Sequence, residues 1–172
     1  MIKALVGDIF DQIETYSIEG IVNAANGIGP MGRGIAGAIK MHGGACIQGD
    51  AYRVCSRENP KPGDAYSTIA GCLEGRGIKR IIHACTMKQP SGYTDYKIVN
   101  SAFKSALALA KAEGITCMGV TALGTGVGKL DPRLVANEMV DALVDSDTDI
   151  DIVFCDYSVD FIDEIKKLLM LS

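Results

Sequence analysis

The 172-residue sequence has no run of lysine and arginine, no apolar stretch of membrane-spanning length and no two cysteines at CxxC spacing. Each absence excludes something. Without a basic run, and with a net charge of -4, the chain cannot hold a nucleic-acid backbone by charge, so nucleic acid is disfavoured as a partner. Without about 20 consecutive apolar residues there is no candidate membrane helix. The opening MIKALVGDIF lacks the apolar core and small-residue cleavage site of a secretory leader, and a cytoplasmic protein is expected. The missing CxxC pair turns Cys46, Cys55, Cys72, Cys85, Cys117 and Cys155 into buried reduced thiols rather than a disulfide framework. His42 and Cys46 lie four apart and would share a helical face, but no further His or Cys is near, so no metal and no cofactor is expected.

Proline is scarce and glycine plentiful, 5 against 20. The glycines gather in residues 27–44 and 119–128, which marks two places where backbone turns sharply or approaches something closely. With 48% hydrophobic and 22% charged residues, the composition is that of a globular chain, and the length suits one domain over residues 1–172.

Short apolar runs rich in β-branched residues recur: IKALVG, GIVNAA, AYSTIAG, KRIIHAC, ITCMGVTAL and DIDIVFCD. Their near-continuous hydrophobicity predicts strands covered on both faces. Between them lie helical patterns. Residues 94–114 start with Thr-Asp, repeat apolar residues from Ile98 to Ala110 at helical spacing and stop at Gly114. Asp131 and Pro132 open a second helix, and Ser158 caps a third that carries Lys166 and Lys167 late, in keeping with the helix dipole. Strands alternating with helices predict an α/β layered domain, whose ligand crevice lies beyond the carboxyl ends of its strands.

Both glycine-rich segments follow a strand and precede a helix, an arrangement that offers backbone amides to a phosphate. Neither matches a nucleotide motif. GPMGRGIAG lacks the Lys-Ser/Thr of a P-loop, and GTGVGK stops short of GxGxxG.

Taken in order, GDI at 7–9, IVNAAN at 21–26, GRGIAGAI at 32–39, PGDA at 62–65, IIHA at 81–84 and ALGTGVG at 122–128 resemble the macro domain family over essentially the whole chain. The resemblance implies a three-layer α/β/α fold with a mixed, mostly parallel central sheet, and ADP-ribose or an ADP-ribosylated protein as partner. It places Asp8 on the adenine amine, with the Ile9 backbone beside it. Asn26 would meet the distal ribose and orient a reaction there, while Asn23 would brace the loop by side-chain to backbone bonds. Gly32, Gly34 and Ile35 would wrap the distal ribose and pyrophosphate from one side, and Gly124, Thr125, Gly126 and Val127 from the other, while the Arg33 guanidinium either reaches the pyrophosphate or stands in solvent. Tyr157 is the candidate to stack on adenine, with Cys155 the alternative occupant of the usual stacking position; His83 reads as a hydrogen-bonded core residue.

The chain departs from the family at telling positions. Arg33 stands where a glycine is usual, and Gly128 where an aromatic often presses on the ribose. Ala36 stands where one hydrolase branch has an aspartate, and Lys129 and Asp131 are out of register for a second branch's lysine and aspartate. The resemblance therefore implies either a hydrolase of mono-ADP-ribosyl groups or O-acetyl-ADP-ribose that acts mainly by orientation, or a non-catalytic ADP-ribose reader or scavenger.

Overall fold

A computed structural model describes residues 1–172. In chain order the elements are β1 (Ile2–Val6), α1 (Ile13–Tyr16), β2 (Gly20–Asn26), α2 (Gly34–Gly43), α3 (Cys46–Glu58), β3 (Ala65–Thr68), β4 (Arg80–Met87), α4 (Tyr96–Ala112), β5 (Cys117–Val120), α5 (Pro132–Ser146), β6 (Asp151–Asp156) and α6 (Val159–Leu169). Short 3₁₀ turns over Ile9–Gln12 and Gly71–Arg76 complete the chain.

The six strands form one sheet in the order β1-β6-β5-β2-β4-β3. Every neighbouring pair is parallel except β3 with β4, so the sheet is mixed and mostly parallel. Helices cover both faces. Val22, Ile82, Val120 and Phe154 pack beneath α4, α5 and α6, while Ile21, Ile81, Val153 and Cys155 pack beneath α2, α3 and the first 3₁₀ turn. Successive strand residues point to opposite faces, and with both faces buried the strands read as continuous apolar runs.

The three helices expected from capping and period are present. Asp95 accepts from the Ile98 amide at 2.8 Å to cap α4, Asp131 accepts from the Arg133 amide at 2.8 Å at the head of α5, and Ser158 accepts from the Phe161 amide at 3.2 Å on α6. Asp131 is thus a structural cap.

Several boundaries differ from the sequence reading. The run Ile115–Leu123 contributes a strand only over Cys117–Val120, because the Ala122 amide leaves the ladder and donates to Asp156 Oδ2 at 3.0 Å. The run Ala65–Gly71 ends as a strand at Thr68; Gly71, at φ +56°, turns the chain into a 3₁₀ segment. Helix α3, which buries Ile47, Ala51, Val54 and Cys55, went unread.

His42 and Cys46 do not share a helical face, contrary to expectation. One closes α2 and the other opens α3, and the His42 ring stacks on Phe10 at 3.9 Å instead. Cys55, Cys85, Cys117 and Cys155 are buried as expected, whereas Cys46 and Cys72 are exposed. No helix is long and apolar enough to cross a membrane, and no three His, Cys, Asp or Glu side chains gather as a metal set.

Candidate functional site

The carboxyl ends of the parallel strands open into a cleft of about 820 Å³, a size suited to a small-molecule ligand. Asp8, Ile9, Asn26, Gly32, Arg33, Gly34, Ile35, Gly124, Thr125, Gly126, Val127 and Tyr157, scattered over the sequence, all line it. The strand order sets their layout. Asp8 follows β1 and Tyr157 follows β6 at one end, the second glycine-rich segment follows β5 in the middle, and Asn26 closes β2 beyond it.

The backbone of the two glycine-rich segments is the chemically unusual part. The amides of Gly32, Arg33, Gly34 and Ile35 donate to no carbonyl in the chain, and neither do those of Thr125, Gly126, Val127 and Gly128. On the first segment the amides belong to the head of α2, where helix geometry leaves donors without intrahelical partners, and no side chain caps them. Gly34 needs its identity there, since its φ of +57° is strained for residues with a Cβ. On the second segment the turn closes on itself, Lys129 N to Gly126 O and Leu130 N to Gly124 O, both 3.1 Å. Two segments with free amide donors thus line one crevice, with Arg33 as its one cationic side chain.

Asn26 is the organiser of the first segment. Its Oδ1 accepts from the Ile28 and Gly29 amides at 3.0 and 2.8 Å, and its Nδ2 donates to Pro30 O at 3.0 Å. An amide nitrogen carries two hydrogens, so one remains for the cleft. The side-chain to backbone bracing expected of Asn23 therefore belongs to Asn26. Asn23 is buried and instead meets His83 Nδ1 through Nδ2 at 3.0 Å. His83 in turn meets Thr68 Oγ1 at 2.8 Å and stacks on Tyr66 at 4.6 Å. Burial holds the imidazole neutral, with its pKa down at about 3. His83 is a core residue, as its apolar surroundings implied.

At the other end, Asp8 Oδ1 accepts from the Phe10 amide at 2.9 Å, and Oδ2 has no backbone partner. The Asp8 carboxylate beside Tyr157 raises that phenol above its ordinary range. Tyr157 is 73% exposed. Cys155 lies in the cleft wall, its thiol pushed up to about 11 by burial.

Sequence reasoning missed Asp156. It ends β6 and also lines the cleft, accepting from the Ala122 amide at 3.0 Å and from the Ser158 amide at 2.8 Å. A single aspartate at a strand end carries no signal of that bridging role. Asp8 and Asp156 are the only carboxylates in the lining, both away from Asn26. Ala36, buried on α2, supplies none, and Lys129 and Asp131 lie outside the lining. Gly128 is required by packing: a Cβ there would sit 2.5 Å from Gly124 O and 2.8 Å from Thr94 Cγ2.

Fold and cleft together define a three-layer α/β/α domain with a crevice at the carboxyl edge of its sheet. A sequence profile described as Macro domain matches residues 22–139. The chain belongs to the Macro domain family. It is 37% identical over 124 residues to an uncharacterized protein of Aquifex aeolicus, covering 72% of this chain and 71% of that one. It is 31% identical over 144 residues to the O-acetyl-ADP-ribose deacetylase of Enterobacter sp. strain 638, covering 83% and 76%. Among solved structures, the macrodomain of Mycobacterium tuberculosis DarG superposes with a TM-score of 0.75 at 26% identity, over 90% of this chain and 97% of that one.

Proposed function

We propose that residues 1–172 form one ADP-ribose-binding macro domain that hydrolyses a group attached to the distal ribose, with O-acetyl-ADP-ribose or a mono-ADP-ribosylated protein as substrate. The observation that carries this reading is the pair of amide rows, Gly32–Ile35 and Thr125–Gly128, in one cleft. A diphosphate is acceptor-only and anionic, so free donors at a helix head and a glycine turn match it without lysines. On either side of that midpoint, Asp8 offers a carboxylate acceptor for the adenine amine and Asn26 a free donor for a ribose hydroxyl. The similarity to a named O-acetyl-ADP-ribose deacetylase supports the same ligand.

Hydrolysis in this site proceeds without a carboxylate base beside the ribose. The two lining aspartates lie at the adenine side and hold backbone amides. What the site offers is placement: the ligand is fixed at both ends and along its diphosphate, and a water can be held between the substrate's own phosphate and the scissile bond. Orientation of that kind lowers barriers substantially. The absence of a nearby carboxylate is also the observation that favours the second reading, a reader that binds ADP-ribose without turning anything over.

One experiment separates the two. Purified protein is titrated with ADP-ribose by calorimetry and, in parallel, incubated with O-acetyl-ADP-ribose and with a protein ADP-ribosylated on acidic residues. Saturable binding with ADP-ribose release above a heat-killed control supports the hydrolase. Binding without release makes the chain a reader. No binding sinks both.

A further inference from the structure

Three buried side-chain polar atoms lack any hydrogen-bond partner: Asn23 Oδ1, Thr94 Oγ1 and Thr121 Oγ1. Of these residues only Thr121 belongs to the cleft wall. It is 9% exposed, and its hydroxyl oxygen is screened from solvent, so the small surface it shows the cleft is made by its other atoms.

Its place in the sheet explains why the hydroxyl is stranded. Thr121 directly follows Val120, the last residue of β5, which is in register with Val22 of β2 and Phe154 of β6. The next position on each side is Asn23 and Cys155. Val120 packs beneath α4–α6, so by alternation Thr121 turns to the opposite face, the face of Cys155. Asn23 commits its Nδ2 to His83 and leaves its oxygen without a partner. No donor or acceptor among these neighbours is bonded to the Thr121 hydroxyl.

A buried hydroxyl without a partner destabilises a fold, and an apolar group of the same shape in its place is neutral or stabilising. Such a group is therefore informative when it borders a ligand cleft. On the line of strand ends from Asp8 and Tyr157 to Asn26, β5 lies between β6 and β2, with the second amide row following β5 itself and the first following β2 beside it. On the reading given above, that midpoint is where the diphosphate lies.

We propose that Thr121 is a ligand-binding residue, and that its hydroxyl donates to a phosphate oxygen when a diphosphate occupies the cleft. One staggered step about Cα–Cβ carries the hydroxyl into the position the methyl holds, the methyl moving to that of the hydrogen, and brings the donor to the wall. The acceptor-only phosphate completes a hydroxyl that the protein leaves unbonded. Thr121 thereby discriminates between adenine compounds that carry the diphosphate and those that do not.

The proposal rests on the ADP-ribose reading, and the test keeps the two apart. Thr121→Val preserves shape and removes the hydroxyl; Thr121→Ser preserves the hydroxyl. Wild type and both variants are titrated with ADP-ribose, ADP and adenosine, and unfolded thermally without ligand. The unliganded Thr121→Val protein should melt at or above the wild-type temperature, bind ADP-ribose and ADP roughly 10-fold or more weakly, as loss of a bond to a charged acceptor implies, and bind adenosine as wild type does. Thr121→Ser should retain the affinity for ADP-ribose. Wild-type affinity in Thr121→Val overturns the proposal, and so does a lowered melting temperature with adenosine binding equally weakened, the mark of a structural role. Failure of the wild type to bind ADP-ribose overturns the functional reading, and this proposal with it.

Discussion

Asn26 grips Pro30: its Nδ2 donates to the Pro30 carbonyl at 3.0 Å while its Oδ1 takes the Ile28 and Gly29 amides. One side chain thus sets the course of the segment that leads to the Gly32–Ile35 amides. Asn26→Ala removes three hydrogen bonds from a partly buried loop and should cost about 1–3 kcal/mol of stability, read by urea unfolding. ADP-ribose affinity should fall together with any turnover, because the amide row loses its anchor. Asn26→Asp keeps the acceptor and loses the donor to Pro30, so it should retain more stability than Asn26→Ala yet bind ADP-ribose poorly, with a carboxylate now facing the ligand. Wild-type affinity in both variants would remove Asn26 from the site.

Asp8 serves two masters through its two oxygens. Oδ1 caps the Ile9–Gln12 turn at the Phe10 amide, and the same carboxylate raises the Tyr157 phenol. Asp8→Asn keeps the capping oxygen, so its stability should stay within about 0.5 kcal/mol of wild type, while the group facing adenine changes from a pure acceptor to a mixed one. Affinity for ADP-ribose should drop roughly 10-fold, and the Tyr157 phenol should return toward its ordinary range in an ultraviolet pH titration. Unchanged affinity measured by calorimetry would refute the adenine assignment.

How much of this was legible in the sequence depends on whether the cause was local. The caps Asp95, Asp131 and Ser158 act within three residues of themselves and were read correctly. The near-continuous apolar strands, covered on both faces, announced the layered sheet. The cleft lining was legible because its members sit in short motifs at strand ends. What could not be read was set across the chain. Asp156 acts by reaching the Ala122 amide 34 residues away, which also cuts β5 short. Asn23 leaves the loop bracing to Asn26 because His83, on the neighbouring strand, supplies Asn23 with a partner. Helix α3 has no side-chain cap and carries Gly49 inside it, so both local signals of a helix fail while its buried face holds it.

His83 makes stability depend on acid. Its folded pKa is depressed to about 3 by burial, against an ordinary value of 6.5. Above pH 6.5 folded and unfolded chains both carry it neutral, and its contribution is whole. As pH falls below 6.5 the unfolded chain takes up a proton that the folded chain refuses. Stability should then decline by roughly 1.4 kcal/mol per pH unit from this group, down to about pH 3. Urea unfolding at pH 7.5, 6.0 and 5.0 should show a steeper loss for wild type than for His83→Gln, which cannot titrate. Parallel losses in the two proteins would show that the burial of His83 is not what couples fold to acid.

Gly128 is where the second amide row is most exposed to a single methyl group. A Cβ at that position would lie 2.5 Å from Gly124 O and 2.8 Å from Thr94 Cγ2, and the first of these is backbone that the turn itself uses, since Gly124 O accepts from Leu130 N at 3.1 Å. Gly128→Ala must therefore open the turn or displace the head of α4. Either route should cost about 1–3 kcal/mol, as overpacking does, and should scatter the Thr125–Val127 amides, lowering ADP-ribose affinity. Gly126→Ala is the matched comparison, because a Cβ at Gly126 meets nothing within 4 Å. It should unfold like wild type and lose affinity only by crowding the cleft. If Gly128→Ala melts and binds as wild type does, the turn is not held by that contact, and Gly128 is not required there by packing.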